Sequence, residues 1–135
     1  MNTEGEVIAT ITLPGVERSA LYTRRFAADT FGPDHPSLDD IRTCVSEAFT
    51  NGVLHTASGG GGKVTVTFAT VGDLIVAEVT DDGAGGARPH LCDDPMGVHG
   101  RGLQIIDALT VDWGIRPDAD RTTVWMHFTG PIREV

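Results

Sequence analysis

Glu47, Asn51 and His55 stand four residues apart in the stretch SEAFTNGVLHT, and polar groups at that spacing can do chemistry. Residues at i, i+4 and i+8 of a helix stack along one side. A carboxylate and an amide oxygen one turn apart can hold a Mg²⁺ ion and orient a water or hydroxyl beside it. Magnesium takes few protein oxygens and fills its other positions with waters and phosphates. The plainer alternative is a solvated polar face, which the same residue types form equally well.

A second group, Asp81-Asp82-Gly83-Ala84-Gly85-Gly86, follows an apolar stretch at 74–80. A carboxylate at a strand end can accept a hydrogen bond from an exocyclic amino group such as that of adenine. The glycines behind it let the backbone pass close to a ligand and adopt positive φ. An ordinary Asp-Gly turn would leave the same letters. The third group is Gly97-Val98-His99-Gly100-Arg101-Gly102-Leu103, directly before a helical pattern. Free N–H groups at a helix N-terminus, together with the helix dipole, make an anion site, and Arg101 adds a charge that a phosphate could use. A plain helix entry would carry the same glycines.

The elements that must position these groups follow from periodicity. Residues 6–13 alternate, with Val7, Ala9, Ile11 and Leu13 on one face of a strand. Val16, Ala20, Ala27 and Phe31 recur at helical spacing, and Gly32-Pro33 stops that helix. Ser37-Leu38-Asp39-Asp40 resembles a capping box, Ser37 capping and Asp40 reaching back. The helix it opens turns Ile41, Val45 and Ala48 toward a core and runs to about His55. Gly52 inside it costs roughly 0.5–1 kcal/mol relative to Ala.

Residues 63–70 alternate strictly, with Val64, Val66 and Phe68 facing one way. Gly72-Asp73 turns the chain into a second, more apolar strand at 74–80. Residues 82–99 read as loop, rich in glycine and proline. A helix from about Arg101 to Leu109 follows, then strands near 111–116 and 122–129 joined by Pro117-Asp118-Ala119-Asp120. The order predicts an α+β domain: a two-layer sandwich, its sheet mixed but mostly antiparallel, with three helices on one face.

Composition narrows the class. The 135 residues, 40% hydrophobic and 21% charged, fit one globular domain. A formal charge of −9 argues against nucleic-acid or anionic-membrane binding, because both surfaces would repel the chain. Cys44 and Cys92 form no CxxC or regular framework, so two reduced thiols and a soluble, cytoplasmic protein are expected. MNTEGEVIATITLPG lacks the basic start and apolar core of a signal peptide, and no apolar run approaches the ~20 residues of a membrane span. His90 and Cys92 lie near Asp93 and Asp94, but no second cluster completes a tetrahedral zinc set. Trp113, Trp125 and Phe128 read as core or interface residues.

Taken in order, an ExxxN helix, a DxGxG after a strand and a GxG-Leu before a helix resemble the Bergerat-fold (GHKL) ATPases across residues 35–129. The phrases SEAFTNGVLHT, VTDDGAGG, GRGLQII and RTTVW are most similar to the small anti-sigma-factor serine/threonine kinases, which carry a histidine-kinase-like ATPase domain. The resemblance implies ATP and Mg²⁺ as ligands. It makes Glu47 the general base and Asn51 the Mg²⁺ ligand. Asp81 would bind the adenine amino group, with Gly83 and Gly85 lining the base pocket. Gly100, Arg101, Gly102 and Leu103 would lie along the phosphates, under a mobile lid at residues 86–99. Thr122 would support Asp81 through a water, with Thr123 as the other choice because strand register is open by one residue. His55 would be structural or on the phosphate side.

The implied activity is that of an anti-sigma factor and serine/threonine protein kinase that phosphorylates an anti-sigma antagonist. Its partners would be a sigma factor and the antagonist domain. The competing reading is a non-catalytic, nucleotide-dependent binding module that sequesters a transcription regulator. A homodimer is left open by the sequence.

Overall fold

The computed structural model describes residues 6–55, 62–82 and 98–130. Strand β1 (Glu6–Pro14) leads through a 3-10 turn (Glu17–Ser19) into α1 (Ala20–Phe31) and α2 (Leu38–His55). The hairpin β2 (Lys63–Val71) and β3 (Leu74–Asp81) follows, then α3 (Val98–Leu109) and a second hairpin, β4 (Asp112–Asp118) and β5 (Arg121–Thr129). The five strands form one sheet in the order β1-β2-β3-β5-β4. All four pairings among the described residues are antiparallel, in keeping with the expected mostly antiparallel sheet.

Strand alternation divides the sheet into a dry and a wet face. Leu13, Val64, Val66, Phe68, Ile75, Ala77, Val79, Val124, Met126 and Phe128 are buried against Ile41, Cys44, Val45, Ala48 and Phe49 of α2 and Ile106 of α3. Phe26 of α1 stacks on Phe68 at 5.1 Å, and Phe31 meets the same ring edge-on at 5.0 Å. Such ring pairs add about 0.5–1.5 kcal/mol beyond their buried area. The other face is dressed with threonines, which suit a pleated surface and still satisfy water. Thr12 pairs with Thr65 at 2.9 Å and Thr80 with Thr123 at 2.8 Å.

Four local expectations are corrected. Val16 precedes the helix and is 41% exposed, because the chain first makes the 3-10 turn and α1 starts only at Ala20. Ser37 does precede α2, its carbonyl accepting Ile41 N–H at 2.9 Å. Its hydroxyl, however, donates to the Thr129 carbonyl instead of completing a capping box. Helix α3 begins at Val98, about three residues early. The last hairpin turns on two residues, Ala119 (φ 60°) and Asp120, with Pro117 inside β4. Proline is tolerated there because β4 is an edge strand.

Candidate functional site

Helix α2 carries the polar groups on the side next to its apolar stripe. Glu47 is half-buried, and Asn51, one turn on, is only 9% exposed. Gly102 of α3 packs directly on both. A Cβ added at Gly102 would stand 3.0 Å from Glu47 Oε1, 3.3 Å from Asn51 Nδ2 and 3.7 Å from Asn51 Oδ1. A side chain here would press on both groups, which would have to give by a few tenths of an ångström, so the glycine lets α3 sit close against them.

The residue after Asn51 makes the corresponding contact on the sheet side. A Cβ at Gly52 would lie 3.3 Å from both Cβ and Oδ2 of Asp81. The helix runs unbroken through Gly52 to His55. The glycine there accommodates the carboxylate that ends β3, and the propensity it forfeits is set against that close approach. Asp81 is 5% exposed and lies on the helix-facing side of the sheet, continuing the row of Ala77 and Val79. Adjacent residues of α2 therefore touch Asp81 on one side and α3 on the other.

Register places Thr122 directly opposite Asp81 on β5, on the same face. Thr123 points to the opposite face of the sheet, where it is buried and its hydroxyl meets Thr80. Of the two threonines left open by the sequence, Thr122 shares the side of Asp81. The following carboxylate, Asp82, accepts the backbone N–H of Lys63 at 2.8 Å and so ties the end of β3 to the start of β2.

Gly100, Arg101, Gly102 and Leu103 all lie within α3 and not ahead of it. The reason is packing: Ile106 is fully buried and Leu103 packs on the core, which holds these turns helical despite two glycines. Gly83 and Gly85, and residues 86–97 of the expected lid, lie outside the described residues, as do His90 and Cys92. The side chains of His55 and Arg101 lie outside them too. The contact between Gly52 and Asp81 was missed by sequence reasoning. Its signal was a glycine inside a helix, immediately after the polar pair.

Cys44, one turn before Glu47, is fully buried, and its thiol is pushed up to about 12. Burial is the main cause, with the negative charges of Asp40 and Glu47 adding to it. The thiol is thus held neutral beside the acidic end of the site.

The donor set suits a hard cation. Asn51 offers an amide oxygen in a nearly dry position beside the Glu47 carboxylate, and magnesium needs few protein oxygens of this kind. Among the described residues there is no group of three His, Cys, Asp or Glu side chains able to hold a metal.

The fold is a two-layer α+β sandwich with an antiparallel sheet. The chain belongs to the histidine kinase-like ATPase domain family, whose model matches residues 13–128. No curated protein matches the sequence. Among solved structures, the chain is similar to the RsbU and RsbW domains of Rv1364c from Mycobacterium tuberculosis, with a TM-score of 0.64 and 24% identity. That likeness covers 94% of this chain and 34% of the other, so the chain spans about a third of its structural neighbour. It is a likeness of fold. Among the described residues, no helix is long and apolar enough to cross a membrane.

Proposed function

We propose that the chain binds ATP with Mg²⁺ and works as an anti-sigma factor that also phosphorylates a serine or threonine of an antagonist domain. The observation that carries this reading is the meeting of Glu47, Asn51 and Gly102 at one end of α2, with Asp81 packed on the next residue. Asp81 accepts the adenine amino group, with Thr122 opposite it on the same face of the sheet. Asn51 holds Mg²⁺, which would neutralise phosphate charge. Gly100, Arg101, Gly102 and Leu103 lie along the phosphates at the start of α3. Glu47 takes the proton of the attacking hydroxyl.

Phosphoryl transfer asks the protein chiefly for positioning and charge neutralisation. A carboxylate base and an amide on one rigid helix meet the first demand, since α2 is fixed by Ile41, Val45 and Phe49 in the core. The motif phrases shared with anti-sigma-factor kinases support the choice of partners, a sigma factor and its antagonist.

The test is incubation of the purified protein with Mg²⁺-ATP and candidate antagonist domains. Phosphate transfer that disappears in Glu47→Ala, while partner binding persists, supports a kinase. Nucleotide-sensitive partner binding with no transfer by the wild type would instead make the chain a non-catalytic binding module.

A further inference from the structure

A cavity of about 350 Å³ opens between the sheet and the end of α1, within the roughly 300–1,000 Å³ range of small-molecule sites. Fully buried Ile75, with Phe31 and Ile8, gives it apolar walls, and Glu6, Thr70 and His35 supply polar groups. Ile75 stands six residues before Asp81 along β3, roughly 20 Å at the rise of a strand. None of Glu47, Asn51 or Asp81 lines this cavity, so it is separate from the candidate nucleotide site.

Two features at this cavity run against what burial alone would choose. The first is a bulge in β1: Ala9 pairs with Phe68, but Val7 pairs with Ala69 and Glu6 with Thr70. Unbroken alternation would put Val7 on the helix side with Ala9, Ile11 and Leu13. The bulge turns Val7 outward instead, 61% exposed, and sets Glu6 on the inner row beside Thr70 and Ile75. An apolar side chain goes to water and a carboxylate to the mouth of an apolar cavity. Bulges re-aim side chains in this way beside functional sites.

The second feature is His35, only 9% exposed. Its Nδ1 accepts the Ser37 N–H at 3.0 Å, so Nε2 holds the ring's N–H. Among the described residues Nε2 donates to no protein group. Nor is it sealed from solvent, since the sole fully buried side-chain atom lacking a partner is Arg42 Nε. Phe31 steadies the ring at a centroid distance of 5.5 Å. A donor held this way at a cavity wall calls for an acceptor.

We propose that this cavity binds a small aryl amino alcohol, its ring against Phe31, Ile8 and Ile75, its ammonium facing Glu6 and its hydroxyl oxygen accepting from His35 Nε2. Glu6 is the one charged residue lining the cavity, and it sets the sign of the ligand. The face of Phe31 favours the same sign. The inference stands whether or not the chain binds nucleotide.

The probe is phenylethanolamine, titrated into the full chain by calorimetry and located by amide NMR shifts. Mandelate, which keeps the ring and hydroxyl but carries a carboxylate, is the charge control. Phenethylamine, which lacks only the hydroxyl, tests His35 without disturbing its bond to Ser37. Phenylethanolamine should bind the wild type one to one, more weakly as salt rises, and move the Thr70 and Ile75 amides. Glu6→Gln, a change at the exposed rim, should bind it roughly tenfold more weakly. Phenethylamine should bind the wild type severalfold more weakly, and mandelate should not bind. Glu6→Gln should melt as the wild type does, with and without Mg²⁺-ATP, so this inference and the nucleotide reading fail separately. No binding of phenylethanolamine, equal binding by Glu6→Gln, or equal binding of phenethylamine or mandelate overturns the proposal. So do shifts gathered around Asn51 and Asp81, which would give the amine to the other site.

Discussion

Gly102 of α3 rests against Glu47 of α2 so closely that a single added carbon would stand 3.0 Å from the carboxylate oxygen. Helix propensity alone favours Ala over Gly by about 1 kcal/mol. Gly102→Ala therefore opposes a gain in helix stability with a collision at Glu47 and Asn51. The unliganded protein should change stability by less than ~1 kcal/mol, while its stabilisation by Mg²⁺-ATP falls sharply. Thermal melts with and without nucleotide separate the two effects.

Thr122 and Thr123 are neighbours with opposite outlooks. Thr122→Ala should weaken nucleotide stabilisation, because Thr122 sits across from Asp81. Thr123→Ala removes the 2.8 Å contact with Thr80 and a buried methyl group on the face away from Asp81. It should cost about 1 kcal/mol and leave nucleotide binding unchanged. Calorimetric titration of both variants with ATP checks the contrast.

Cys44 gives a pH signature. Its thiol is raised from an ordinary value near 9 to about 12, so the fold keeps a proton that the unfolded chain releases. The associated stability is fully present below about pH 9 and is lost as pH rises toward 12, with a slope of up to ~1.4 kcal/mol per pH unit. Cys44→Ala should flatten that slope in urea titrations. In the native wild type, Cys44 should resist iodoacetamide at about pH 8.

Phe68 is fully buried where two further rings converge. Phe68→Ala should cost about 3–5 kcal/mol, read from urea midpoints, because the cavity left between sheet and α1 cannot fully collapse.

Much of this architecture is legible in local pattern. The alternation of Val64, Val66 and Phe68 marks the dry face of β2, and Ile41, Val45 and Ala48 mark the inner side of α2. What escaped was decided by distant contacts. The start of α3 looked like loop because of its glycines, yet burial of Ile106 and the close fit of Gly102 hold it helical. Ser37 had the letters of a cap, but its hydroxyl goes to Thr129, a residue 92 positions away. Pro117 read as turn because it lacks an N–H, and only the strand order places it on an edge where that does not matter. In the site, residue types and spacing pointed to Glu47, Asn51 and Asp81. The reason for Gly52 needed the third dimension, since the carboxylate it accommodates comes from another element.

The central claim is that Asp81 and Asn51 address one nucleotide, and the direct measurement is the thermal shift on adding Mg²⁺-ATP. A ligand bound only by the folded state stabilises it by about 2.7 kcal/mol at a hundredfold excess over Kd. The wild type should rise in Tm accordingly, with Asp81→Asn and Asn51→Ala each losing most of that rise while remaining folded. A wild type that does not respond, or variants that respond as fully as the wild type, would contradict the account.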